Sequence, residues 1–139
     1  MNKPAPPKVK VLVVEDDPDV RGLIVRALSF EYEVVAAEDA NKALALLAAP
    51  PAPGLIISDI MMPGLDGLDF AKQVKHTAGL GSVPIIFLTA KTTPKDTIAG
   101  IKAGARLYVA KPFRVPDLLE KVRKVAPPTG IVKKPTMKR

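Results

Sequence analysis

The feature that most constrains this chain is a repeated alternation of two patterns. Short apolar runs stand at VKVLVV (9–14), YEVVA (32–36), LIIS (55–58), VPIIFL (83–88) and LYVA (107–110). Between and after them, apolar residues recur at helical spacing. These are Val20, Leu23, Ile24, Ala27 and Leu28; Ala43, Leu44, Leu46 and Leu47; Leu68, Phe70, Ala71 and Val74; a stretch around Thr97–Ala103; and Leu118, Leu119 and Val122 within Val115–Val125. Strands that read as continuous apolar runs rather than alternating ones belong to a sheet covered by helices on both faces. Strand–helix alternation in turn requires parallel pairing through crossovers. The expected fold is therefore an α/β, doubly wound, five-stranded parallel sheet of the (βα)5 kind.

Local signals punctuate the same units. Pro18 suits a first helical turn, with Asp16 and Asp17 before it as capping candidates. Asp39 and Asp66 are placed as N-caps, and Gly104 closes the fourth helical stretch. Pro50, Pro51 and Pro53 end the second helix, so Ala48–Gly54 reads as a rigid surface loop with no chemistry of its own.

Composition matters mainly for what it excludes. The 139 residues carry a formal net charge of +7, which invites a nucleic-acid reading. The excess is confined to the ends: Lys3, Lys8 and Lys10 at one, and Lys133, Lys134, Lys138 and Arg139 at the other. Residues 11–126 hold 14 basic and 14 acidic side chains and are neutral. Residues 1–8 and 127–139, rich in Pro and Lys, read as basic arms flanking one domain at 9–126. Such arms supply at most weak nonspecific contact with nucleic acid. The absence of cysteine removes disulfides and thiolate chemistry, and the lone His76, near the end of the third helix, reads as a solvated surface residue. Aromatics at 4% with no Trp give no base-stacking platform. No apolar run approaches the ~20 residues that span a membrane, and MNKPAPPKVK has no secretory h-region. A cytoplasmic protein without membrane contact is expected.

In doubly wound folds the working crevice lies at the carboxyl ends of the strands. Glu15, Asp16 and Asp17 follow the first run, Asp59 the third, Thr89 the fourth and Lys111 the fifth. Clustered carboxylates are costly unless a cation joins them. An all-oxygen set without His or Cys suits a hard ion, Mg²⁺ or alternatively Mn²⁺. An aspartate can act as a nucleophile and form an acyl phosphate. A lysine ammonium and a threonine hydroxyl can serve phosphoryl oxygens. The parts describe a metal-assisted phosphoryl acceptor. Each has a plainer rival: Asp16 and Asp17 as caps, Thr89 as an ordinary strand-end residue, Lys111 as a surface lysine, Tyr108 as packing, and Met61 and Met62 as loop packing.

VLVVEDD (11–17), IISDIMMPGLDG (56–67), FLTA (87–90) and YVAKPF (108–113) resemble the motifs of the receiver domains of two-component response regulators, in order and spacing, over residues 9–126. The resemblance implies the flavodoxin/CheY-like version of the fold. It makes Asp59 the phosphoacceptor for a sensor histidine kinase or phosphotransfer protein. Glu15, Asp16 and Asp59 become the Mg²⁺ carboxylates, Glu15 acting through water, with the Met61 backbone carbonyl completing the set. Thr89 becomes the switch hydroxyl, Tyr108 the aromatic switch residue and Lys111 the phosphate-binding lysine. Pro112 becomes a cis-peptide candidate, and Gly64 and Gly67 shape the loop after Asp59. Met61 and Lys91, two residues beyond Asp59 and Thr89, overhang the phosphoryl group and are expected to lengthen its lifetime. Arg106-Leu107 adds positive charge where many relatives are acidic.

The function implied is a phosphorylation-dependent signalling module rather than an enzyme on an external substrate. Its output would be a protein effector, or a phosphorylation-dependent homodimer, engaged by the face of the fourth helix, fifth strand and fifth helix. Alternatives are a receiver fragment of a larger regulator, either a transcription factor or a hybrid kinase, and a Mg-dependent phosphohydrolase working through an aspartyl phosphate. The phosphohydrolase is disfavoured because its nucleophile typically follows the first strand, and a flavin-binding relative because an anionic loop repels a bare phosphate.

Overall fold

The computed structural model describes residues 7–62, 64–90, 102 and 104–128. The helix expected around 97–103, apart from Lys102, and Lys91 and most of both basic arms lie outside them.

Five strands, β1 (Lys10–Val14), β2 (Glu33–Ala37), β3 (Leu55–Asp59), β4 (Ile85–Thr89) and β5 (Ala105–Ala110), form one sheet in the order β2-β1-β3-β4-β5. Every pairing is parallel. Four helices are described: α1 (Pro18–Leu28), α2 (Ala40–Leu47), α3 (Gly67–Lys75) and α4 (Val115–Val125). The strand runs fall within one or two residues of their expected places, and the sheet is the doubly wound one that the alternation requires.

Burial explains the continuous apolar runs. Val11 and Val13 face one core with Ile24 and Leu28 of α1 and Leu118 and Val122 of α4. Leu12 and Val14 face the other, with Ala40 and Ala43 of α2 and Phe70, Ala71 and Val74 of α3. A strand apolar on one face only would leave one of these layers without a floor.

The caps sit where the acidic residues promised. Asp17 accepts from the Asp19 and Val20 amides, Asp39 from Lys42, and Asp66 from Asp69. Each satisfies an orphan N–H of a first turn. His76 is exposed and forms the C-cap of α3. Peptides 50–51 and 111–112 are cis; the second is the one expected at Pro112.

Gly67 positions the site by having no side chain. A Cβ there would stand 2.7 Å from the Ile60 Cα and closer still to the Asp59 carbonyl oxygen. The Gly67 amide donates to the Ile60 carbonyl at 2.8 Å, so α3 starts directly beneath the end of β3.

Candidate functional site

Strand register brings the predicted residues together. Asp59 pairs with Leu88 across β3–β4, and Thr89 with Ala110 across β4–β5. The carboxyl ends of β1, β3, β4 and β5 therefore open on one crevice. Glu15, Asp59 and Thr89 are buried there, 0%, 5% and 1% exposed, whereas Asp16 is exposed.

Lys111 organises the crevice. Its Nζ donates to Glu15 Oε1 at 2.8 Å and to Asp59 Oδ2 at 2.8 Å. Glu15 Oε2 accepts from the Asp17 amide at 3.1 Å, and Asp59 Oδ1 from the Met61 amide at 3.1 Å. Both buried carboxylates are thus oriented at each oxygen. Burial pushes the Glu15 carboxyl above its usual range and the nearby Asp59 adds to the rise, although Lys111 and the Asp17 amide pull it back. Burial also works against the Lys111 ammonium, but its two carboxylate partners outweigh that, and its pKa is raised.

Glu15, Asp16 and Asp59 each offer an oxygen, and these atoms lie within 4.8 Å of one another. The donor set fits a hard divalent cation, being all oxygen and more anionic than one ammonium can balance.

The remaining predicted residues divide. Tyr108 of β5 is half-buried and stacks obliquely on Phe87, with ring centroids 5.8 Å apart. Met61 is 57% exposed, whereas Met62 is buried in the core with Phe70. The expectation of loop packing holds for Met62 and fails for Met61, because successive residues leaving a strand point to opposite sides. Beside Lys111 lies an apolar groove of about 400 Å³ lined by Val20, Leu23, Ala90, Pro112 and Phe113.

Two contacts escape a reading by motif. Lys111 was expected to wait for phosphate, yet it ties Glu15 to Asp59 across 96 and 52 residues of sequence. Arg21, an ordinary helix residue by pattern, donates to the Glu15 carbonyl at 2.8 Å. The signal available in sequence was a cation one turn beyond an acidic cluster.

Comparisons with known proteins bear on the family of the chain. The model of the response regulator receiver domain matches residues 11–123. The chain is 41% identical over 116 residues to the response regulator MprA of Mycolicibacterium vanbaalenii, covering 83% of this chain and 49% of the relative. It is 40% identical to MprA of Mycobacterium tuberculosis over the same length. The chain spans about half the length of the curated relatives it matches. Among solved structures, the Vibrio cholerae chemotaxis protein CheY4 superposes with a TM-score of 0.80 at 34% identity, covering 84% of this chain and 98% of that one. A response regulator from Chloroflexus aurantiacus gives 0.79 at 33%, covering 86% and 98%. With the four strand-end motifs converging on one crevice, the chain belongs to the response regulator receiver domain family.

Proposed function

We propose that this chain receives a phosphoryl group on Asp59 from the histidine of a sensor kinase or phosphotransfer protein, in a Mg²⁺-dependent reaction in the cytoplasm. The observation that carries this reading is the Lys111 bridge, with Nζ 2.8 Å from Asp59 Oδ2 and Glu15 Oε1. It puts a fixed positive charge beside the candidate nucleophile, where charge builds up during transfer.

An Asp59 carboxylate oxygen attacks phosphorus as the bond to the donor's imidazole nitrogen breaks, which yields an acyl phosphate and a free histidine. Lys111 and the Met61 amide hold the carboxylate for that attack. Glu15, Asp16 and Asp59, with the Met61 carbonyl, would hold the divalent cation, which when bound offsets the charge of the entering group. Mn²⁺ serves the same donor set. Thr89, buried at the end of β4, is placed to meet a phosphoryl oxygen, and Tyr108 to move as it does. The groove of Val20, Leu23, Pro112 and Phe113 gives a protein donor an apolar surface beside Asp59.

Response regulator receiver domains are signalling modules. We assign the output to a protein effector, or a second copy of the chain, meeting β5, α4 and the 91–103 segment. Because the chain matches about half of each MprA relative, we also read it as the receiver part of a larger regulator, with 9–126 as the domain and the basic ends as connections. No helix among the described residues is long and apolar enough to cross a membrane.

Acetyl phosphate with Mg²⁺ should produce one phosphoryl mass gain, labile in base, on the wild type and none on Asp59→Asn. A wild type that gains nothing, or a variant that gains equally, defeats the assignment.

A further inference from the structure

Of the three carboxylates in the crevice, two are held by side-chain hydrogen bonds and one is not. Glu15 is fixed by Lys111 and the Asp17 amide, and Asp59 by Lys111 and the Met61 amide. Asp16 is exposed, and among the described residues no hydrogen bond reaches its side chain. Its carboxylate nevertheless offers an oxygen within 4.8 Å of both others. Its direction therefore depends on the backbone that carries it.

Peptide groups are planar, so the torsions of Asp16 follow from the two peptide planes that flank its Cα. The plane before it carries the Glu15 carbonyl, which accepts from an Arg21 guanidinium nitrogen at 2.8 Å. The plane after it carries the Asp16 carbonyl, 3.4 Å from that same nitrogen, and the Asp17 amide, which donates to Glu15 Oε2 at 3.1 Å. The Glu15 amide donates to Ala37 of β2 at 3.0 Å, which anchors the start of the segment. One Arg21 nitrogen therefore spans both planes around Asp16.

We propose that Arg21 is a positioning residue for the acidic crevice, holding the Glu15 and Asp16 carbonyls so that the Asp16 carboxylate faces the cation shared with Glu15 and Asp59. This rests on the Mg²⁺ reading of the crevice. Two effects of Arg21 oppose each other. Its positive charge near the cluster repels a metal ion, whereas its hydrogen bonds preorganise a ligand. Outer groups that orient ligands typically matter by tenfold or more in metal affinity. Neighbouring charge at a half-exposed residue is diluted by water. Positioning therefore wins, and loss of Arg21 weakens binding instead of strengthening it.

Isothermal titration of the full chain with MgCl₂ reads the sign directly. The wild type should bind. Arg21→Met, which keeps an unbranched stem and good helix propensity but no donor, should bind roughly tenfold more weakly. Its melting temperature in chelator should fall by only a few degrees, the cost of about one hydrogen bond, because Arg21 is half-exposed and borders an open cavity with Ala36, Ala37 and Lys42. Arg21→Lys, which keeps the charge and the donors on a stem one bond shorter, should recover part of the affinity that Arg21→Met loses. If Arg21→Met does not fold, Arg21→Gln carries the same expected loss. Unchanged or tighter Mg²⁺ binding by the neutral variant, or a Lys variant as weak as Met, overturns the inference. A wild type that takes up no Mg²⁺ overturns the metal reading itself.

Discussion

Replacing Lys111 by Met tests the electrostatics of the crevice where they are most exposed to failure. The Glu15 and Asp59 side chains are 0% and 8% exposed, and Lys111 Nζ stands 2.8 Å from each. Their closest ligand oxygens lie within 4.8 Å. Two unit charges at that distance repel by about 3.5 kcal/mol at an effective dielectric constant near 20. Removing one partner of a buried ion pair costs about 3–5 kcal/mol. The protein has one relief, proton uptake by Glu15, whose carboxyl burial already raises above 4.5 and which Asp59 raises further. That relief limits the loss at neutral pH without metal to about 3 kcal/mol, or roughly a 10 °C fall in Tm.

The same reasoning fixes the pH dependence of the variant. The folded state binds the Glu15 proton more tightly than the unfolded chain does. Its contribution is therefore full below 4.5 and is lost as pH rises through the raised folded value. Lys111→Met should regain stability on acidification toward that limit. At neutral pH millimolar MgCl₂ should restore it too, since a ligand of the native state alone stabilises by mass action. Thermal melts by circular dichroism, in chelator and in MgCl₂ across this range, read both. A variant as stable as wild type in chelator refutes the reasoning, as does a deficit that neither acid nor Mg²⁺ changes.

Three further outcomes follow from particular contacts. Tyr32 donates from its buried hydroxyl to the Ala126 carbonyl at 2.6 Å, so Tyr32→Phe should cost about 1–2 kcal/mol in urea unfolding. Burial chiefly, with Glu31, pushes that phenol up to about 12, so wild-type stability should fall as pH rises between 10.0 and about 12, and the Phe variant should lack this limb. Gly67→Ala would press a methyl group on the Asp59 and Ile60 backbone, at an expected cost of about 3 kcal/mol and a visible shift of the Asp59 amide resonance. Met61→Asn combined with Lys91→Ala should shorten the life of the acyl phosphate; equal decay rates would remove both residues as modulators.

The fold was legible because its determinants are local. Continuous apolar runs such as Leu55–Ile57 can be covered only from both sides, and Asp39 and Asp66 each sit where a first turn needs an acceptor. The site was legible as a set of strand ends, since register converts four separated motifs into one crevice. Its internal wiring was not. A motif assigns Lys111 to an incoming phosphate, but nothing in 96 residues of separation tells that it meets Glu15. Tyr32 read as the first residue of a strand; it precedes β2 and binds the end of α4 instead. Arg21 lies in a stretch patterned as helix, and its contact with the Glu15 carbonyl depends on a chain that turns back over six residues.

The wiring bears on how the crevice would switch. Glu15, Asp16 and Asp59 against Lys111 leave a formal charge of −2, in a domain neutral over 11–126. A divalent cation cancels it, and phosphorylation, which exchanges the single charge of the Asp59 carboxylate for that of a phosphoryl group, makes the crevice negative again. The Asp59 carboxyl is then an uncharged acyl group, so the anionic partners of Lys111 become Glu15 and the phosphoryl oxygens, which its ammonium can hold together only if they converge. On the proposed function, phosphorylation thus shifts Lys111 toward the phosphoryl group on Asp59, and with it the end of β5, which stops one residue earlier at Ala110. Tyr108 lies three residues before Lys111 on β5 and stacks on Phe87 of β4. A small displacement of that strand end therefore reaches the aromatic pair directly, which places the first conformational response at Phe87 and Tyr108 and not in the β2 edge beyond β1.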